Sequence, residues 1–428
     1  MTGSPDRCIH ETAFKKMSAA ANMSRKLVQA VRYGQQNGWG ALTRLLRRRL
    51  SEGGMFLGKA SVTRPYDELL GAVFGLESSA QCVPPMTINW FIPPVGKGSG
   101  GHLNILRFIK NLEDLGYTNR IVIVGQPSPP SAAVAKRDIE KWFFPLKASV
   151  HLGADDATPA AYFAMATSWQ TAYYVRRFQS CKQRCYFVQD YEPWFYPAGS
   201  NAMLAEATYR FGFATFTAGD WLAQKLHKEH GARTRSIGFS YDRDLYRPMP
   251  ELRGGDGFHR VMFYARPPTP RRAFELGILV LRDVAKRVPQ MRVVLAGWDV
   301  RGYDIPFPCE YAGLVEIDKL PALYARCDAA LVLSCSNLSL LPLELMACGV
   351  PVISNRAPYT QWLLNDENAK LADPNIQSLV DAVVEVLETP AVAQRIQHAG
   401  TAFAEATSWE REAARMAEGL AELAGKQP

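Results

Sequence analysis

The chain has 428 residues, 47% of them hydrophobic and 21% charged, which is long and apolar enough for two self-sufficient cores and excludes long-range disorder. No stretch approaches the roughly 20 apolar residues of a membrane span. The formal charge of +8 favours anionic partners as a class, nucleotides, nucleic acid and acidic lipid alike, without choosing among them.

The eight cysteines include no CxxC pair and no His spacing suited to zinc. Cys327, Cys335 and Cys348 fall in apolar runs and read as buried, reduced thiols. The opening MTGSPDRCIHETAFKK lacks the apolar core of a signal peptide, so the expected location is the cytoplasm.

Residues 1–75 carry the weakest pattern and read as an N-terminal helical extension. Within it, GALTRLLRRRLSEGG sets Leu42, Leu45, Leu46 and Leu50 on one helical face, with Arg44, Arg47 and Arg48 away from it. Such a basic helix at 42–50 either lies on an anionic membrane surface, making the protein peripheral on the inner membrane face, or packs on the body with its arginines in water.

Residues 76–247 read as a first doubly wound domain. MTINWFIPPV is strand-like, KGSGG a loop, and HLNILRFIKNLEDLG a helix with Ile105, Phe108, Ile109 and Leu112 on one face and Gly116 as its stop. RIVIVG, from Arg120 to Gly125, completes a β-α-β unit. The loop contains GxGxxG at Gly96, Gly98 and Gly101. Gly125 and Gln126, however, stand where a dinucleotide fold needs its ribose-binding acid, so a nicotinamide-linked oxidoreductase stays only as an alternative. Gly98 after Lys97 excludes a Walker loop. What remains is a glycine-rich turn that lets backbone approach a ligand closely, with His102 beside it.

Further along, VQDYEPWFY places Asp190 and Glu192 just beyond a strand ending at Val188, among Tyr191, Trp194, Phe195 and Tyr196. Aromatics beside carboxylates suit a sugar, whose apolar faces stack while its hydroxyls donate; they also fill cores. The position at a strand's carboxyl end favours the ligand role. Asp242 and Asp244 form a DRD pair, but two carboxylates in a proline-flanked linker make a poor metal site.

Residues 248–407 read as a second doubly wound domain. HRVMFYARP is a strand ending in Arg266; Pro270 starts a helix through RRAFELGILVLRDVAKRV; MRVVLAG is a strand, LPALYARCD a helix and AALVLSC a strand. Arg260, Arg266, Arg271 and Arg272 gather at the first of these strands, with Arg266 and one of Arg271 or Arg272 at the sheet's carboxyl end. Ser334 to Asn355, SCSNLSLLPLELMACGVPVISN, gives a helix from Leu340 to Ala347 that Ser339 can cap and Pro342 can start, with Glu344 in its first turns and Gly349 as its stop. Guanidinium groups facing a helix N-terminus near Leu341 suit a diphosphate. Residues 408–428 form a last helix with a narrow stripe of Met416, Leu420 and Leu423, expected to return to the first domain. The positive charges form no continuous stripe with interleaved aromatics, so no nucleic acid is expected.

GGHLNILRFIKNLEDLGY, LPLELMACGVPVISN and the pair Arg266 and Arg271 resemble a family 4 retaining glycosyltransferase of the GT-B fold, over about residues 86–425. The resemblance implies an α/β protein of two doubly wound, Rossmann-like domains facing across a cleft, with 76–247 on the acceptor side and 248–407 binding the nucleotide sugar. VQDYEPWFYPAGS, FYARPPTPRRAFELG and the SxxxLPLE segment are similar, more narrowly, to the S-layer-glycan rhamnosyltransferase type, which uses dTDP-L-rhamnose. The implied activity is transfer of a sugar, L-rhamnose in the narrower match, to a glycan or lipid-linked glycan acceptor in cell-surface polysaccharide synthesis, with no cofactor beyond the donor and no metal.

The implied roles follow residue by residue. Glu344 matches the second Glu of the family's E-x7-E pair and would bind the ribose. The first Glu falls at Ser336, which can hydrogen-bond a hydroxyl but carries no charge; that departure leaves a non-catalytic binding or scaffold protein as a second alternative. Arg266 and Arg271, with Arg272 beside them, match the diphosphate clamp. Gly100 and Gly101 match the loop near the donor phosphates, and Ser339, Leu340 and Leu341 the start of the donor-site helix. Asp190 stands near the implied reacting centre and, with Glu192 and His102, makes up the candidate catalytic set.

Overall fold

A computed structural model describes residues 61–425. The first domain is built on an all-parallel sheet of β1 (Thr87–Ile92), β2 (Thr118–Ile123), β3 (Ser149–Leu152), β4 (Ala161–Ala166), β5 (Cys181–Val188), β6 (Ala214–Ala218) and β7 (Arg233–Ile237), in the order β3-β2-β1-β4-β5-β6-β7. The second has β8 (His259–Tyr264), β9 (Met291–Ala296), β10 (Cys309–Gly313), β11 (Ala329–Val332), β12 (Val352–Asn355) and β13 (Lys370–Ala372), in the order β10-β9-β8-β11-β12-β13. Helices cover both faces of each sheet, so central strands such as TINWFI are buried at every position and read as largely apolar runs. In each sheet the strand order reverses beside the first strand, and ligands of doubly wound sheets bind at the carboxyl ends there. The expected two doubly wound domains are present.

The helix Gly100–Asp114 buries Ile105, Leu106, Phe108, Ile109 and Leu112 against β1 and β2. Gly116 ends it at φ 88°, a conformation that favours glycine. The helix expected from Pro270 begins later. Pro270–Arg272 is a separate 3₁₀ turn, Ala273 lies at φ 48°, ψ 48°, and the α-helix runs Phe274–Arg287. A left-handed alanine costs about 1–2 kcal/mol, and this one sets Arg271 and Arg272 in a turn of their own instead of on the helix. Gly277 lets that helix lie close on β8, since a Cβ there would come within 2.0 Å of the Phe263 ring.

The last helix, Trp409–Leu423, packs on the first domain. Trp409 meets Phe108 edge-on at 5.6 Å, Tyr117 donates to the Ala417 carbonyl at 3.3 Å, and buried Glu412 accepts from the Gly238 N–H at 2.7 Å. The DRD segment serves the same junction. Asp242 pairs with Arg107, and Arg243 donates to the Glu405 and Thr407 carbonyls. Leu69 and Phe74 are buried in the first domain's apolar cluster, so its packing begins before residue 76. The basic helix expected at 42–50 lies outside the described residues. Cys327 and Cys348 are buried as expected, but Cys335 is exposed: it stands in a loop beyond β11 rather than in the strand. Among the described residues no helix is long and apolar enough to cross a membrane.

Candidate functional site

The loop after β1 leads into the helix Gly100–Asp114. Ser99 stands at its N-cap without capping it, because its hydroxyl lies 2.8 Å from His102 Nδ1. His102 Nε2 is 3.2 Å from the Pro93 carbonyl, so Nε2 carries the proton and Nδ1 accepts. Burial lowers the His102 pKa, with the Pro93 bond opposing it, and the ring is held neutral. Both ring nitrogens are engaged, which leaves His102 as a brace of the loop. The first N–H groups of the helix therefore have no side-chain cap. Gly100 and Gly101 are exposed, and a Cβ at Gly100 would meet nothing within 4 Å, so this backbone is open to an incoming anion. Gln189 ties the helix to the end of β5, donating to the Gly101 carbonyl at 3.1 Å and accepting from Asn104 at 2.9 Å.

Asp190 follows at the carboxyl end of β5. One of its oxygens accepts from Ser336 Oγ and the other from the Asn337 N–H, both at 2.9 Å and both from the second domain. Its own neighbour Tyr191 donates a backbone N–H at 2.8 Å. Arg271 Nε lies 3.5 Å away, close enough to pair charges, yet it is buried with no hydrogen bond. Burial pushes the Asp190 carboxyl upward, against Arg271, Arg272 and the donors from Asn337 and Ser336. Asp190, placed by the resemblance near the reacting centre, is thus a fastener between the domains, with a second-domain donor on each carboxylate oxygen.

Glu192 departs further from expectation. It is buried inside the first domain, with one oxygen accepting from Tyr186 OH at 2.8 Å and the other from the Trp169 N–H at 2.8 Å, at the start of the helix Trp169–Arg177. Burial raises its pKa to about 7, opposed by those two bonds. A carboxylate at a helix N-terminus with a donor on each oxygen seats that helix, which is the role the structure gives Glu192.

Across from this turn stand the arginines. Arg266, just past β8, donates to Tyr264 OH at 2.9 Å and pairs with no carboxylate among the described residues. Arg271 stacks on the Phe195 ring with its guanidinium 3.9 Å from the centroid. Burial lowers its pKa, Asp190 resists, and Arg272 and Arg266 lower it further. Arg272 braces the facing loop, donating to Ser334 Oγ at 2.9 Å and the Asn337 carbonyl at 3.2 Å. Arg260, by contrast, is paired with Asp256 and Glu310 and belongs to the scaffold.

The loop Ser334–Leu340 completes this wall. Asn355 holds Ser334 from both sides, accepting from its N–H at 2.9 Å and donating to its carbonyl at 2.8 Å. Asn337 crosses the cleft, donating to the Gln189 and Ala218 carbonyls at 2.9 and 2.8 Å. Ser339 does not cap the helix Leu341–Ala347; Leu340 occupies the N-cap in an α conformation with no side-chain bond. Glu344, 8% exposed, accepts from Tyr324 OH at 3.5 Å. Burial raises it to about 7, against the hydroxyls of Tyr246 and Tyr324. Two hydroxyls leave a carboxylate with acceptor capacity for further donors.

The structure therefore gathers Gly101, Asp190, Arg271, Arg272 and Ser336 into one bonded network, with Arg266 close enough to Arg271 to repel it. His102 and Glu192 serve as supports. Gln189, Ser334, Asn337 and Asn355 were not singled out from sequence; the polar residues interrupting the apolar runs around 334–355 were the available signal.

Residues 259–384 match the family model described as the C-terminal domain of WsaF. The chain is 33% identical over 352 residues to the O-antigen biosynthesis protein RfbC of Myxococcus xanthus, an alignment that covers 78% of this chain and 27% of that protein. The chain thus spans about a quarter of this relative's length. Among solved structures it is similar to sucrose-phosphate synthase from Thermosynechococcus elongatus (TM-score 0.62, 15% identity, 79% of this chain and 99% of that one). It is also similar to Anabaena HepE in complex with UDP and glucose (TM-score 0.62, 18% identity, 79% and 100%). A third is WaaG, a glycosyltransferase involved in lipopolysaccharide biosynthesis (TM-score 0.54, 12% identity, 78% and 99%). The two parallel-sheet domains have the GT-B glycosyltransferase fold.

Proposed function

We propose that the chain is a retaining glycosyltransferase that moves a sugar from a nucleoside diphosphate donor to a glycan or lipid-linked glycan, with dTDP-L-rhamnose as the donor. The observation that carries the reading is the charge imbalance of the cleft: Arg266, Arg271 and Arg272 are close enough to act on one another, and among the described residues the one carboxylate in an ion pair with any of them is Asp190, on Arg271. A diphosphate supplies the missing negative charge in bidentate form. The open first turn at Gly100 and Gly101 adds backbone donors, and Glu344 keeps capacity for ribose hydroxyls. Two relatives, an O-antigen biosynthesis protein and HepE with bound UDP, support the class; the rhamnosyl donor rests on the sequence resemblance and on the uncharged Ser336.

In this reading the glycosidic bond breaks with charge developing on the β-phosphate oxygen, and Arg266 and Arg271 stabilise that charge in place. With Asp190, Glu192 and His102 all engaged, no side chain among them is free as a base. The departing diphosphate takes the acceptor proton on the same face of the sugar. Because guanidinium groups compensate the charge, turnover is expected to persist in EDTA.

Thermal-shift screening of dTDP-, UDP-, GDP- and ADP-sugars, followed by measurement of nucleoside diphosphate release with a saccharide acceptor, tests the proposal. The expected result is strongest stabilisation by dTDP-L-rhamnose and acceptor-dependent release of dTDP. Tight NAD binding without any nucleoside diphosphate binding contradicts it. The use of Ser336 as a structural donor to Asp190 favours one second reading, a non-catalytic binding protein, which would bind the donor and release nothing.

A further inference from the structure

We propose that Trp194, Trp221 and Tyr359 form a saccharide-stacking subsite at the mouth of the cleft, taking the pyranose ring of the acceptor next to the one that reacts. The proposal deepens the glycosyltransferase reading and rests on it for the word acceptor. The three rings pack against one another with centroids 5.8 Å (Trp194–Trp221), 6.0 Å (Trp194–Tyr359) and 5.7 Å (Trp221–Tyr359) apart. They come from three strand ends on both domains: the turn after β5, the helix Asp220–His230 after β6, and the turn Pro358–Gln361 after β12. Trp194 is nevertheless 43% exposed, and Trp221 and Tyr359 are only half-buried. An organised aromatic patch left in water is a binding surface more than a core.

The patch adjoins the arginine cluster on both walls. On the first domain, Phe195, next to Trp194, lies under the Arg271 guanidinium. On the second, Cys335 donates its N–H to the Arg271 carbonyl at 2.8 Å, and its thiol is close enough to Tyr359 to act on the phenol electrostatically, after burial. A sugar on the patch would therefore sit beside a sugar diphosphate held by the arginines. Trp194 is also held in place: Tyr191 packs edge-on at 5.0 Å, and Lys225 Nζ lies 4.8 Å from the Trp194 ring while bonded to Glu229 at 2.8 Å. A fixed ring lowers the ordering cost of binding. Asp220, exposed next to Trp221 and without a partner among the described residues, is an acceptor for the hydroxyl rim. A pyranose matches this arrangement, with C–H groups on one face and donors around its edge.

Titration of the full chain with linear tetrasaccharides of L-rhamnose, D-mannose, D-galactose and N-acetyl-D-glucosamine, followed by saturation-transfer NMR, tests the subsite. Parallel calorimetric titrations use dTDP and UDP. Trp194→Ala and Trp221→Ala should each weaken the best-bound tetrasaccharide about tenfold. Trp194→Phe should stay within about threefold, and affinity for the better-bound nucleoside diphosphate within about twofold. Equal losses of saccharide and nucleoside diphosphate affinity would overturn the proposal, making the patch a domain latch or nucleobase platform. Unchanged saccharide affinity in both alanine variants would also overturn it, as would no binding of any tetrasaccharide to the unaltered chain. Failure of the unaltered chain to bind either nucleoside diphosphate, with tetrasaccharide binding intact and sensitive to Trp194, would break the donor reading and leave the stacking subsite standing.

Discussion

In the turn Gln189–Phe195 both carboxylates have protein donors on each of their oxygens, whereas the three arginines that face this turn have one paired carboxylate between them among the described residues. The two walls of the cleft thus differ in what they have left to offer. The acidic wall holds the molecule together; Asp190 fastens one domain to the other and Glu192 seats a helix start. The basic wall keeps unmet demand for negative charge, most visibly at Arg271, whose Nε is buried without a hydrogen bond. Carboxylates near an expected reaction centre are therefore weak evidence for catalysis until their partners are known, while crowded guanidinium groups lacking counter-charge suit an anion.

The largest effect expected from breaking this arrangement is Asp190→Ala. It leaves Arg271 without its counter-charge and removes the acceptor for Ser336 and Asn337, and denaturant unfolding should show a loss of about 4 kcal/mol. A loss under about 1 kcal/mol would mean the acidic wall is not structural. Arg272→Ala should cost about 2 kcal/mol in the same experiment, because the Ser334 hydroxyl and Asn337 carbonyl lose a charged donor.

Glu192 and Glu344 sharpen the contrast through pH. Each carboxyl is raised by burial from the ordinary 4.5 to about 7, so between those values the folded chain holds protons that the unfolded chain has released. Their contribution to stability is fully present below about pH 4.5 and is lost as pH rises through about 7. Glu192→Gln should remove its part of that slope, on the order of 2 kcal/mol across the window, read from melts at pH 5 and pH 8. The smallest effect should come from Ala273→Gly. Relief of the left-handed alanine at φ 48°, offset by glycine's greater unfolded entropy, should stabilise by about 0.5 kcal/mol.

The elements were legible because parallel strands buried on both faces are mostly apolar, as in TINWFI and MRVVLA, with few charges to break the run. The arginines were legible as well, since they sit just past the end of such a strand. The partners of Asp190 were not, because Asn337 and Ser336 lie 147 and 146 residues away and nothing local marks that pairing. Two serines show the limit of cap signals. Ser99 gives its hydroxyl to His102 and Ser339 gives no cap at all, because the chain enters the helix at Leu341 already in α conformation. The kink at Ala273 carried no signal, since alanine is the residue least expected to leave a helix there. Trp221 and Tyr359 were missed for a related reason: Trp221 reaches Trp194 only when the ends of β5 and β6 lie side by side in the sheet, and Tyr359 only once the domains meet.

The account's central claim is that Arg266, Arg271 and Arg272 form the seat of a diphosphate. Arg266 tests it most directly, because it pairs with no carboxylate among the described residues and its loss should leave the fold intact. Calorimetric titration of dTDP into the unaltered chain and into Arg266→Ala should give an affinity about 100-fold weaker in the variant, with the melting midpoint unchanged. Equal affinity in the two proteins, with both folded, would contradict the claim and place the nucleotide elsewhere.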